Sequence, residues 1–119
     1  MLNETILVAD GNGSDMSGMA QSLRNCGHKV IIATDDEETM KRAKNENPGL
    51  VIVDADLLQK SGNCICRSLK ECPQTREIKV LLLHDEESAH PSQWPADADR
   101  LLQRPVSGDQ LMDTIAHMI

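Results

Sequence analysis

Two aspartates stand at the ends of apolar runs. Asp10 closes Thr5-Ile6-Leu7-Val8-Ala9, and Asp54 closes Leu50-Val51-Ile52-Val53. A third run, Val80-Leu81-Leu82-Leu83, leads into His84 and Asp85, and Asp56 follows Asp54 by two residues. Each aspartate could simply start a loop, but two carboxylates and an imidazole also suit a cation: Asp10, Asp54 and His84 would fit Zn²⁺ or Mn²⁺. His84 has two further readings, a hydrogen-bonded filler of a pocket and a pH-sensitive partner for Asp54 or Asp10. A side chain that titrates near pH 6.5 is held in its charged form by a neighbouring carboxylate. Cys26, Cys64, Cys66 and Cys72 do not extend this list. Structural zinc sites use Cys-x2–4-Cys and four ligands, whereas Cys64 and Cys66 are one residue apart. Reduced thiols buried on one helix are the expectation, because free Cys packs as a small hydrophobe.

Whether these residues meet depends on the elements that carry them. The three runs, with Lys29-Val30-Ile31-Ile32-Ala33 and the weaker Arg100-Leu101-Leu102-Gln103, read as strands buried on both faces. Helical patterns lie between them. Ser14–Cys26 places Met16, Met19, Ala20 and Leu23 on one stripe and stops at Gly27. Asp35–Asn47 opens with acidic residues and stops before Pro48, and Gly62–Cys72 ends at Pro73. Ser107-Gly108-Asp109-Gln110 fits a capping box ahead of Leu111, Met112, Ile115 and Met118. Residues 85–99 are less regular, since Pro91 and Pro95 restrict any helix to a short piece.

Strand–helix alternation repeated five times predicts a doubly wound parallel sheet with helices on both faces and right-handed crossovers. Sites in such folds lie beyond the carboxyl ends of the central strands. That rule points to the positions after Ala9, Val53 and Leu83, two of which begin with Asp.

Composition narrows the class. The 119 residues suffice for one domain, 1–119, without disulfide or metal staples. Trp94 is the sole aromatic among Phe, Trp and Tyr, so the core must be aliphatic. Nineteen acidic against twelve basic side chains give a net charge of −7, which repels phosphate backbones and argues against nucleic-acid binding. No apolar run approaches the roughly 20 residues that span a bilayer, and the start lacks a basic signal region. A cytoplasmic location without membrane contact is the expectation.

Ile6-Leu7-Val8-Ala9-Asp10 and Val51-Ile52-Val53-Asp54 together resemble the signature of response-regulator receiver domains in two-component signalling. Gly62, eight residues after Asp54, matches the family's spacing. Arg104-Pro105-Val106 resembles its Lys-Pro-hydrophobic close of the fifth strand. The resemblance covers nearly the whole chain. It implies a flavodoxin-like sheet of order 2-1-3-4-5, and Asp54 as acceptor of a phosphoryl group from a histidine kinase or a small donor. It also implies Mg²⁺ held by two acidic residues after the first strand, the acceptor carboxylate, and the backbone carbonyl of Asp56.

The departures from the family pattern concern the working positions. Asp10 matches the first acidic position, but Gly11 occupies the second, the direct metal ligand, so Mg²⁺ should be weakly held. Asp56 and Asp85 are the carboxylates that could compensate. His84 stands where the family has Thr or Ser. Arg104 replaces Lys, keeping the charge but not the compact ammonium, and is suited to a bidentate ion pair with Asp54. Leu101 stands where a switch Tyr or Phe is usual. These departures imply impaired Mg²⁺-dependent phosphorylation and action through protein contacts. By resemblance the contact surface is the Ser88–Ala116 face, toward a histidine kinase, another signalling protein or an output domain. Trp94 is expected there, between Pro91 and Pro95, partly buried; an exposed Trp would mark a partner surface.

Two other functions compete with this one. A pseudo-receiver would use the same fold as an interaction module wholly without phosphate. Val51-Ile52-Val53-Asp54-Ala55-Asp56 also resembles the start of haloacid-dehalogenase phosphatases, with Asp54 as nucleophile and Asp56 as general acid–base. Leu58 stands where those enzymes have Thr, a full strand–helix–strand–helix segment precedes the motif, and the chain is too short for their later motifs. A phosphoacceptor and not an enzyme is therefore the expectation.

Overall fold

The computed structural model describes residues 5–9, 16–54, 65–84, 99–103 and 108–118. Five strands, β1 (Thr5–Ala9), β2 (Lys29–Ala33), β3 (Leu50–Asp54), β4 (Lys79–His84) and β5 (Arg100–Gln103), alternate with four described helices. These are α1 (Met16–Asn25), α2 (Asp36–Glu46), α3 (Ile65–Glu71) and α4 (Gly108–Met118). All strand pairs are parallel, in the order β2-β1-β3-β4-β5. The expected sheet is thus the observed one.

Alternation along each strand sorts the core into two layers. Leu7, Ala9, Val51, Val53, Val80 and Leu82 face one way, where Ala43 of α2 and Leu69 of α3 cover them. Ile6, Val8, Leu50, Ile52, Leu81 and Leu83 face the other, against Ala20 and Leu23 of α1 and Leu111 and Ile115 of α4. Side chains of period two that are apolar on both faces leave the inner strands as unbroken hydrophobic runs.

The helix ends have local causes. Gly27, at φ 95°, takes the left-handed conformation, which costs a glycine nothing. It lets His28 N–H donate to Leu23 O at 3.2 Å and Gly27 N–H to Arg24 O at 3.0 Å, closing α1 in a Schellman turn. Asp35 caps α2 by accepting from Glu38 N–H at 2.7 Å, and Glu38 Oε1 accepts from Thr34 N–H at 2.9 Å. The same helix stops at Asn47, in the left-handed region, ahead of Pro48. Residues 14, 15, 62–64 and 107, assigned to helices from the sequence, lie outside the described residues, as does nearly all of 85–99. Among the described residues, no helix is long and apolar enough to cross a membrane.

At the amino end of the sheet, one ion pair ties three elements together. Lys70 Nζ of α3 donates to Asp99 Oδ2, just ahead of β5, at 2.8 Å, and to Ile78 O at 2.8 Å. The same Asp99 oxygen accepts from Val80 N–H of β4 at 2.8 Å. Burial works to raise the Asp99 carboxyl, but the Lys70 hydrogen bond and charge and the Val80 N–H outweigh it, holding it below the usual carboxylate range. A carboxylate depressed in the folded state contributes stability above its unfolded pKa of about 3.9, and loses it as pH falls through the lower folded value. Asp99→Asn should therefore be less stable than the parent in urea near neutral pH. The gap should narrow as acid protonates Asp99 in the parent; a gap constant down to the acid limit would contradict this.

Candidate functional site

Strand register decides what the sheet brings together. Ala9, the last residue of β1, lies opposite Val53, so the carboxyl end of β1 adjoins the Asp54 end of β3. Asp54 is the last residue of β3 and lies opposite Leu83. His84, the last residue of β4, follows immediately and lies opposite Gln103, the last of β5. Asp54 and His84 thus close neighbouring strands at one edge of the sheet, one register step apart.

That edge includes the switch point of the fold. β1 lies between β2 and β3, so the strand order reverses beside it, and doubly wound folds bind ligands outside the carboxyl ends at such a point. The floor beneath is dry: Leu7, Val8, Ala9, Val51, Ile52 and Val53 are fully buried. A carboxylate is costly inside such a slab and is tolerated only where the slab ends. Sequence and register therefore agree on where polar chemistry can sit.

Of the sequence-derived site residues, Asp54 and His84 are placed at this edge, and Leu101 lies within β5 opposite Leu82. Asp10, Gly11, Asp56, Asp85, Trp94 and Arg104 lie outside the described residues. Of the Ser88–Ala116 face, residues 99–103 and 108–116 are described. Asp54 ends β3 and Asp10 follows β1 in the sequence, but Gly11 brings no carboxylate, and a hard cation loses affinity with each anionic oxygen withheld. Among the described residues alone, no group of three His, Cys, Asp or Glu side chains could hold a metal.

The cysteine expectation needs correction. Cys26 is exposed, not buried, because it follows the last residue of α1 and lies beyond the core-facing stripe; its Sγ is 3.4 Å from Met112 Sδ. Cys72 is partly exposed just after α3, and the Gln74 backbone N–H chiefly holds its thiol below the usual range. These two thiols are on different elements. Sequence reading also missed the Lys70–Asp99 pair, whose members are 29 residues apart and sit in an ordinary helix and an irregular stretch. No local pattern signals such a contact.

Known proteins share this architecture. The family model described as response regulator receiver domain matches residues 6–116. The alkaline phosphatase synthesis transcriptional regulatory protein PhoP of Bacillus subtilis is 31% identical over 106 residues, covering 89% of this chain. The chain spans only 44% of that relative's length. Chemotaxis response regulator CheY4 of Vibrio cholerae superposes with a TM-score of 0.83 at 20% identity, covering 98% of this chain and 99% of CheY4. A response regulator receiver modulated diguanylate cyclase from Pelobacter carbinolicus gives 0.82 at 23% identity, covering 97% and 91%. At these identities the structures speak for the fold.

The residue types after β1 lead to a direct test. Gly11→Asp is expected to tighten Mg²⁺ binding on the order of tenfold or more, read by isothermal titration. Unchanged affinity would mean that position 11 does not face the cation.

Proposed function

The chain belongs to the response regulator receiver family, and from that premise we propose a signalling receiver whose acceptor is Asp54 and whose Mg²⁺-dependent phosphorylation is impaired. The observation that carries this reading is the position of Asp54: the last residue of β3, at the switch-point edge, beside the strand that leads into Asp10.

In the proposed reaction an Asp54 carboxylate oxygen attacks the phosphorus of a phosphohistidine or a small phosphodonor. The P–N or P–O bond to the donor breaks, its electron pair leaves with the donor, and an acyl phosphate remains on Asp54. Bound Mg²⁺ would supply charge neutralisation for the phosphoryl oxygens. Asp10, Asp54 and the Asp56 carbonyl are the groups that would hold it. Arg104 would bring a guanidinium to the phosphoryl group or to Asp54 itself. His84 cannot offer the hydroxyl of Thr or Ser, and Leu101 offers no aromatic ring to turn. Both the rate of phosphorylation and its readout are therefore expected to be weaker than in an ordinary receiver.

The domain acts as a phosphoacceptor and not as an enzyme. Its partners are a histidine kinase or another signalling protein, and an output domain or partner met through the Ser88–Ala116 face. The charge of −7 disfavours direct nucleic-acid contact, and a cytoplasmic setting accords with a kinase partner. A second reading, an interaction module wholly independent of phosphate, is favoured by one specific observation. Gly11, His84, Leu101 and Arg104 all depart from the family pattern at working positions, whereas Asp10 and Asp54 match it. The phosphatase likeness of Asp54-Ala55-Asp56 is not favoured by a strand that is third in the chain.

Acetyl phosphate with Mg²⁺, read by intact mass beside an ordinary receiver and Asp54→Asn, separates these readings. A slow, partial adduct that Asp54→Asn abolishes is the expected result. No adduct would favour the phosphate-independent module, and an adduct as fast as the ordinary receiver's would overturn the impairment.

A further inference from the structure

We propose that the Lys70–Asp99 ion pair is a latch that couples α3 directly to the edge strand β5. β5 has four residues and pairs with the sheet on one side only. The residue before it, Asp99, is fixed from two directions. Its N–H donates to Val80 O at 2.9 Å and its Oδ2 accepts from Val80 N–H at 2.8 Å, which sets the start of β5 against β4. The same oxygen accepts from Lys70 Nζ at 2.8 Å, and that ammonium also donates to Ile78 O at 2.8 Å.

The side chains of Lys70 and Asp99 are 21% and 32% exposed, so the pair is more shielded than Arg67–Glu71 on the same helix, at 70% and 66%. Exposed i,i+4 pairs contribute little, whereas a shielded ammonium holding several acceptors fixes geometry. The placement gives the latch its consequence. α3 is the first described element after Asp54, and β5 is the last before Arg104. The two elements that flank the acceptor edge in sequence are thus tied together at the opposite end of the sheet. If Asp54 is the acceptor, as proposed above, a displacement of α3 reaches β5 through one ion pair as well as across the strands.

The test needs no phosphorylation, so its failure is separable from failure of the receiver reading. Amide hydrogen exchange of β5 (Arg100–Gln103) is measured in the parent, in Lys70→Met and in Asp99→Asn, with β1 amides (Ile6–Ala9) as the reference for global opening. Each variant should speed β5 exchange about tenfold while β1 changes much less. Arg67→Gly, which weakens α3 from its exposed face, should speed β5 exchange about fivefold in the parent and less than about twofold in Lys70→Met. Equal acceleration in both backgrounds, or none in the parent, would overturn the latch. So would parallel acceleration of β1 and β5 in Lys70→Met, which would mark the pair as general stabilisation only.

Discussion

The inner strands of the sheet are covered on both faces, and the rest of the molecule follows from that burial. Ile6 to Ala9, Leu50 to Val53 and Val80 to Leu83 are fully buried, so no side chain in these twelve positions can be polar. Their backbone groups, equally cut off from water, must be paired within the ladder. Parallel pairing in turn requires each strand to return by a crossover, which places helices on both faces. Polar residues are driven to the strand ends, and register gathers those ends along one edge. Asp54 and His84 each follow directly on a fully buried run, Leu50–Val53 and Val80–Leu83, that excludes polar side chains.

Among the described residues the core that meets this demand is aliphatic. Alanines at 9, 20, 33 and 43 bring helices and strands close, and Leu23, Leu69, Leu111 and Ile115 fill the gaps between them. Buried hydroxyls are satisfied locally: Thr39 Oγ1 donates to Asp35 O at 2.6 Å and Thr75 Oγ1 to Leu69 O at 2.6 Å. These bonds shape the start of α2 and the turn after α3, so even the polar part of the core serves the connections.

Much of this was legible in the residue pattern, for a physical reason. A strand buried twice over must be a continuous apolar run, and such runs stand out: β2 and β5 match their expected spans, and β4 is longer by one residue at each end. Helix ends announced by Gly27 and by Asn47–Pro48 were also readable, because left-handed caps restrict residue type. Tertiary contacts were not. The exposure of Cys26 depends on where α1 stops relative to its core stripe, a matter of one residue. Lys70 meeting Asp99 depends on the way two crossovers converge, which neither local sequence encodes. At the site, register carried the placement of Asp54 and His84 beyond what spacing alone could reach. Asp10, Gly11, Asp56 and Arg104 rest on sequence resemblance.

The two ends of the sheet consequently have different chemical characters. At the carboxyl end, Asp54, His84 and Gln103 terminate strands just past their apolar runs, so changing one of them leaves the slab beneath intact. That is a physical reason why the chain can carry Gly11, His84 and Arg104, where the family pattern has other residues, and still match the family over residues 6–116. At the amino end, Asp99 and Lys70 satisfy backbone groups of β4 and of the turn before it, so a substitution there disturbs the ladder itself. A receiver that has lost phosphoryl chemistry would keep its apolar runs, since these are required simply to hold the sheet together.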